Sequence, residues 1–156
     1  MKPRVKFTSL LTTILVLFAF LLLVGCPASI KDQFKQDMMA QGVKPLSRVE
    51  LKNLMVNATQ FEKHSTTYEG KFHYSVDGTF DGKVWGASGE KVYIGNWYIN
   101  DLGALCQKWE GKQSCYLYYP GKGNNEYTRV QLSGQHSMAW PDGLAPVTIT
   151  PGMERL

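Results

Sequence analysis

Two hydrophobic patterns divide this chain. From Phe7 to Gly25 the residues are uncharged and mostly apolar with no period. From Thr59 onward apolar and polar residues alternate in short runs, the period of two expected of half-buried strands. Thr59–Lys63, Lys71–Val76 and Thr79–Trp85 read as strands, with Asp77-Gly78 a hairpin turn between the last two. Gly86–Glu90 reads as a loop. Lys91–Ile99 is the longest run, with Val92, Ile94, Asn96 and Tyr98 on one face and Tyr93, Gly95, Trp97 and Ile99 on the other. Ala104–Trp109 and Gln113–Tyr119 follow, then a loop at Pro120–Asn125, a strand at Glu126–Leu132 and a short one at Val147–Thr150. Strands at this spacing, with turn residues between them, predict a mainly β fold: an antiparallel meander forming a small barrel or rolled sheet.

One short α-helix precedes the strands. Ser47 and Glu50 form an S-x-x-E capping box ahead of Leu51, Leu54 and Met55, with Leu46 and Leu51 placed as a hydrophobic staple. The predicted helix is Arg48–Val56, with its apolar face packed. Pro27–Lys44 is poor in large apolar residues and reads as a tether, transiently helical around Phe34–Met39.

The apolar run begins after Lys2, Arg4 and Lys6 and ends in Leu23-Val24-Gly25-Cys26. A run of this length is long enough to span a bilayer, and it also suits an ordinary secretory signal. Leu23-Val24-Gly25 is a poor small-x-small cleavage site, and a retained helix does not account for a cysteine directly after Gly25. The segment resembles a bacterial lipoprotein signal peptide with its lipobox. The resemblance implies cleavage before Cys26, a diacylglycerol thioether on its thiol and acylation of its new amine. Several acyl chains, at about 0.8 kcal/mol per buried methylene, make a durable anchor. The expected organisation is a signal peptide over 1–25, a lipidated tether over 26–44 and a single β-rich domain over 45–156. Pro27, rather than aspartate, follows the cysteine, which favours the periplasmic face of the outer membrane over the inner membrane.

Charge then changes meaning. The chain has 17 basic and 13 acidic residues and a formal net charge of +4. Three of the basic residues and none of the acidic ones lie in 1–25, leaving +1 for the remainder. Basicity therefore gives no argument for nucleic acid as a partner.

With Cys26 taken by lipid, Cys106 and Cys115 remain, an even pair in an oxidising compartment. A two-residue turn at Glu110-Gly111 sets Trp109 against Lys112 and Cys106 against Cys115, at a non-hydrogen-bonded site where opposed side chains are closest. A three-residue turn would set Cys106 against Tyr116 and prevent a bridge. The cysteines thus predict both a disulfide and a register. No C-x-x-C is present to suggest redox chemistry.

Several motifs in order resemble a family of small exported proteins found mainly in proteobacteria. They are Lys44-Pro45-Leu46-Ser47 with Glu50-Leu51, then Asn57-Ala58-Thr59, Tyr74 with Asp77-Gly78-Thr79, Gly95-Asn96-Trp97, and Cys106-Gln107-Lys108-Trp109 with Cys115-Tyr116. The resemblance covers about residues 44–132. It implies a β-rich domain, supports the disulfide and brings no established activity.

Candidate chemistry is sparse. His64, His73 and His136 lack the short spacing of a zinc site, and no H-E-x-x-H or G-x-S-x-G occurs. Ser75, His73 and Asp77 read as a polar strand end and a turn rather than a triad, and Asp77 with Asp81 as turn chemistry rather than paired carboxylates. Gly121-Lys122-Gly123 lacks the following Ser or Thr and the helix of a phosphate loop. No cofactor, metal or catalytic residue is expected. The aromatic residues Trp97, Trp109, Tyr116, Tyr118 and Tyr119 are the remaining feature. They suit a binding surface, with Trp97, Trp109, Tyr116 and Tyr118 as its candidate residues, or the filling of a small barrel and its rims. Lys83, Lys91, Lys108 and Lys112 would edge such a surface or blunt exposed strands. The expectation is a membrane-anchored, non-catalytic binding or assembly module of the cell envelope, with an envelope protein as a candidate partner. The alternatives are a lipocalin-like carrier of a small apolar ligand and, least favoured, a hydrolase of envelope polymers.

Overall fold

The structure, a computed structural model, describes residues 29–65, 68–134 and 142–152, without the side chains of 64 and 65. The signal segment, Cys26 and His136 lie outside the described residues. Eight strands form a closed antiparallel barrel in which each strand pairs with its sequence neighbours and the last returns to the first. They are β1 (Ala58–Ser65), β2 (Tyr68–Tyr74), β3 (Thr79–Gly86), β4 (Gly89–Ile99), β5 (Leu105–Trp109), β6 (Lys112–Pro120), β7 (Glu126–Gly134) and β8 (Leu144–Pro151). Among the described residues two helices precede them, α1 (Ile30–Ala40) and α2 (Arg48–Met55).

The meander and the alternation are as the sequence predicts, and several bounds differ: β2 runs from Tyr68 to Tyr74 rather than from Lys71 to Val76, whose last two residues belong to the turn. The β3–β4 connection shrinks from a loop to the two residues Ala87 and Ser88, because Gly86 pairs with Gly89 and Trp85 with Glu90. The last strand is longer than Val147–Thr150, because β7 pairs with it from Leu144 and β1 pairs with it as far as Pro151.

Alternation sorts the side chains into two shells. Ala58, Gln60 and Glu62 of β1 point inward with Phe72 and Tyr74 of β2 and Phe80 and Val84 of β3. Trp97, Gln107, Tyr116, Tyr118 and Arg129 continue the inner shell through β4 to β7, and Ala145, Val147 and Ile149 close it on β8. Gly82 makes room for one member of this shell. A Cβ there would lie 2.3 Å from Phe72 Cδ1, so the Phe72 ring lies over the Gly82 backbone.

α2 covers the barrel end where β1 begins. It packs on β8, β1 and β4, and its Leu51 and Met55 are fully buried. The predicted capping box is present: Glu50 N–H donates to Ser47 Oγ at 3.3 Å and Ser47 N–H to Glu50 Oε2 at 2.8 Å. The Ser47 hydroxyl, and after it the Ser47 amide, lower the Glu50 pKa by hydrogen bonding to its carboxylate. Leu46 N–H donates to the Tyr118 carbonyl at 2.8 Å, fastening the helix entry to β6.

The stretch expected to be a tether carries more structure than a transient helix. Ser29 caps α1, and Phe34 on it packs edge-on against Tyr119 with ring centroids 5.4 Å apart. Tyr119 points out of the barrel, and its burial pushes its phenol above the ordinary value. α1 therefore lies against the barrel wall at β6.

The β5–β6 hairpin has the predicted register. Glu110 (φ 47°) and Gly111 (φ 74°) make the two-residue turn, Trp109 pairs with Lys112 and Cys106 with Cys115. The two cysteines are disulfide-bonded, with Cα atoms 4.0 Å apart. They sit outside the barrel, buried with Ala104 against Leu117 and Leu132.

Candidate functional site

The inner shell contains a polar chain that crosses the barrel. Gln60 and Glu62, two residues apart on β1, both face the lumen, as does Arg129 on β7. Arg129 donates from Nη1 to Glu62 Oε1 and from Nη2 to Glu62 Oε2 at 2.9 Å, a bidentate pair. Its guanidinium carbon lies 4.3 Å from the Tyr116 ring centroid. Gln60 Nε2 donates to Glu62 Oε1 at 2.8 Å, and Gln60 Oε1 accepts from the Tyr118 hydroxyl at 2.7 Å. The Tyr74 phenol stands beside that of Tyr118 and accepts from Gln107 Nε2 at 2.8 Å. The chain thus joins strands that are not neighbours in the sheet.

Burial sets the protonation of these groups. Glu62 is 1% and Arg129 6% exposed. Burial alone would lower the Arg129 pKa; the Glu62 charge opposes it, and the net shift is upward, so the guanidinium stays charged. Burial, followed by the neighbouring Tyr118, pushes the Tyr74 phenol well above its ordinary value, and burial raises Tyr118 too. Both phenols are neutral at ordinary pH. The interior therefore holds one compensated ion pair, neutral hydroxyls and amides.

The sequence-derived candidates fall in different places. Trp97, Tyr116 and Tyr118 are inner-shell residues with little exposure, and the Trp97 indole donates to the Ser75 carbonyl at 2.9 Å. They pack the core. Trp109 lies half-buried at the end away from α2. There it meets Tyr93 edge-on with centroids 6.1 Å apart, and Lys91 Nζ lies 5.0 Å from the Tyr93 centroid. Trp109, Tyr93 and Lys91 form an aromatic and cationic rim at this mouth. Lys108 lies over Tyr98 on the outer wall, and Lys83 bridges to Glu90 at 3.4 Å.

His73, Ser75 and Asp77 do not converge. His73 points outward, buried, with Nδ1 3.5 Å from Thr59 Oγ1. Asp77 Oδ1 accepts from the Thr79 hydroxyl at 2.6 Å and the Thr79 amide at 2.9 Å, the turn use predicted for it. Those bonds, the hydroxyl's first, lower its pKa. Among the described residues no three His, Cys, Asp or Glu side chains gather in a metal-binding group, and no helix is long and apolar enough to cross a membrane.

Sequence reasoning missed Gln60, Glu62, Tyr74, Gln107 and Arg129. Alternation puts Gln60 and Glu62 on one face of β1 and Phe61 on the other, and only closure of the barrel shows that the polar face is the lumen side. Fold and interior together define an antiparallel meander barrel with a hydrogen-bonded polar core and an aromatic mouth. No protein-family model, curated protein or solved structure matches this chain.

Proposed function

We propose that the protein is an exported, lipid-anchored binding module of the bacterial envelope that recognises an envelope protein through the barrel mouth rather than by catalysis. One observation carries the reading. The inner polar side chains satisfy one another across the lumen, while the aromatic and cationic groups at the mouth, Trp109, Tyr93 and Lys91, keep exposure. Half-exposed Trp and Tyr beside a cation are the residue types that anchor protein interfaces. Cys26 would supply the anchor, and α1, docked through Phe34, would hold the barrel near the membrane.

The carrier reading needs lumen space for its ligand. The contacts of Tyr118 with Gln60 and of Gln107 with Tyr74 occupy the middle layer with protein atoms. This favours recognition at the mouth over storage inside.

The test is crosslinking and pull-down of the tagged chain in intact cells, beside Cys26→Ser and Trp109→Ala. The expected result is a protein captured by the parent, depleted with Cys26→Ser and lost with a folded Trp109→Ala variant. Capture unchanged by Trp109→Ala refutes mouth recognition. No captured protein, with a small molecule retained by the barrel in native mass spectrometry, transfers the assignment to the carrier.

A further inference from the structure

β4 is longer than the strand beside it. It pairs with β3 along Gly89–Asn96 but with β5 only along Asn96–Ile99. The strands separate at Gly95, where a Cβ would lie 1.9 Å from the Lys108 carbonyl oxygen, and only glycine admits that approach. Beyond it, β4 has a bare edge from Gly89 to Gly95.

Hydrogen-bond parity shows which groups the edge presents. The two-residue β3–β4 turn makes Gly86–Gly89 a hydrogen-bonded pair, so Gly89, Lys91, Tyr93 and Gly95 bond toward β3. The Trp97 amide donates to the Gly78 carbonyl at 2.8 Å, in the same phase. Glu90, Val92 and Ile94 therefore direct their amides and carbonyls away from β3, six groups without a strand partner among the described residues. Their side chains face out of the barrel, and Val92 is 50% and Ile94 72% exposed. An open edge with exposed β-branched residues is a template for another strand.

We infer that this edge pairs antiparallel with the same edge of a second copy, about a two-fold axis at Val92. A two-fold pairing must place one residue opposite itself. Centred on Val92, it sets Glu90 against the partner's Ile94, Val92 against the partner's Val92, and Ile94 against the partner's Glu90, which satisfies all six groups on each copy. Centred on Tyr93, it would set Glu90 against the partner's Asn96, which β5 already engages. The Val92 register ends on glycine at both sides, with Gly89 opposite the partner's Gly95. It also sets Lys91 against the partner's Tyr93, extending across the interface the cation–aromatic contact seen within one copy. An unrelated strand would bond to the backbone equally well; the equal spacing of the edge groups about Val92 and the Lys91–Tyr93 match favour a second copy.

The experiment uses the exported chain with Cys26→Ser, so that association is read without the anchor. Sedimentation across a concentration series should show a monomer–dimer equilibrium. Val92→Pro removes an amide that points away from β3, a position that tolerates proline on an edge strand. It should weaken association by about tenfold or more, with thermal unfolding unchanged at dilutions where both chains are monomeric. Val92→Cys should crosslink to itself, since facing hydrogen-bonded residues lie about 5.5 Å apart at Cα. Ile94→Cys should not, because the two copies are offset by about 13 Å there. A monomer at every concentration, as when another protein's strand takes the edge, overturns the inference. So does a dimer indifferent to Val92→Pro, or equal crosslinking through Ile94→Cys.

Discussion

Replacing Arg129 by Met tests whether the polar chain holds the barrel together. The change keeps the aliphatic stem and removes the guanidinium that donates twice to Glu62 and lies over Tyr116. Glu62, 1% exposed, then keeps Gln60 Nε2 as its remaining side-chain donor. Stripping the partner from a buried ion costs about 3–5 kcal/mol. A Coulomb check agrees in size, since unit charges about 4 Å apart at an effective dielectric near 20 attract by about 4 kcal/mol. For a domain of this length that lowers the thermal midpoint by about 10–20 °C. The assay is urea unfolding of the Cys26→Ser chain followed by tryptophan fluorescence. Glu62→Gln alone strands a buried guanidinium and should also destabilise. The double variant carries no unpaired charge, so it should cost less than the two singles together by about 2–3 kcal/mol. A cost below about 1 kcal/mol for Arg129→Met, or singles that add within about 0.5 kcal/mol, would refute the compensated buried pair.

Three further outcomes follow from the same structure. Replacing Cys106 and Cys115 by Ala removes a crosslink closing a short loop and should cost about 2–3 kcal/mol in urea unfolding, with the β circular dichroism retained; an unchanged midpoint would show that the bridge contributes nothing. Gly95→Ala puts a methyl against the Lys108 carbonyl and should destabilise by about 1–3 kcal/mol, whereas Gly152→Ala, with open space around its Cβ but a φ of 88°, should act through backbone strain alone and cost less; equal midpoints for the two would remove the close approach at Gly95 as a constraint. In alkali, unfolded tyrosines lose protons near 10 while Tyr74 and Tyr118 keep theirs, so the unfolded chain binds fewer protons and stability, full below about pH 10, falls above it. Tyrosinate absorbance should rise together with unfolding, and Tyr118→Phe should make the alkaline loss shallower; complete ionisation of the tyrosines in a still-folded barrel would contradict the buried phenols.

What was legible in the sequence is what neighbours decide. Side chains alternate across a strand, so the meander shows in the runs at Lys71, Thr79, Lys91 and Glu126 without knowledge of the partner strand. Turn chemistry is equally local: Glu110-Gly111 together with two cysteines fixed the β5–β6 register, and Ser47 with Glu50 fixed the start of α2. Phase along a strand assigned residues to faces, as it did for Trp97 against Tyr98, but it did not say which face was the lumen. That waited on closure, which pairs β1 with β8 across most of the folded chain. Closure brings Glu62 to Arg129, 67 positions away, and Gln60 to Tyr118, 58 away. The bare edge of β4 depends on where β5 stops, and the seat of α1 on the wall position of Tyr119. The sequence by itself determined the strands, the hairpin bridge and the helix cap, because each rests on contacts a few residues long. Tertiary structure alone decided the compensated core, the mouth and the open edge, because each depends on register and strand length summed around a closed sheet.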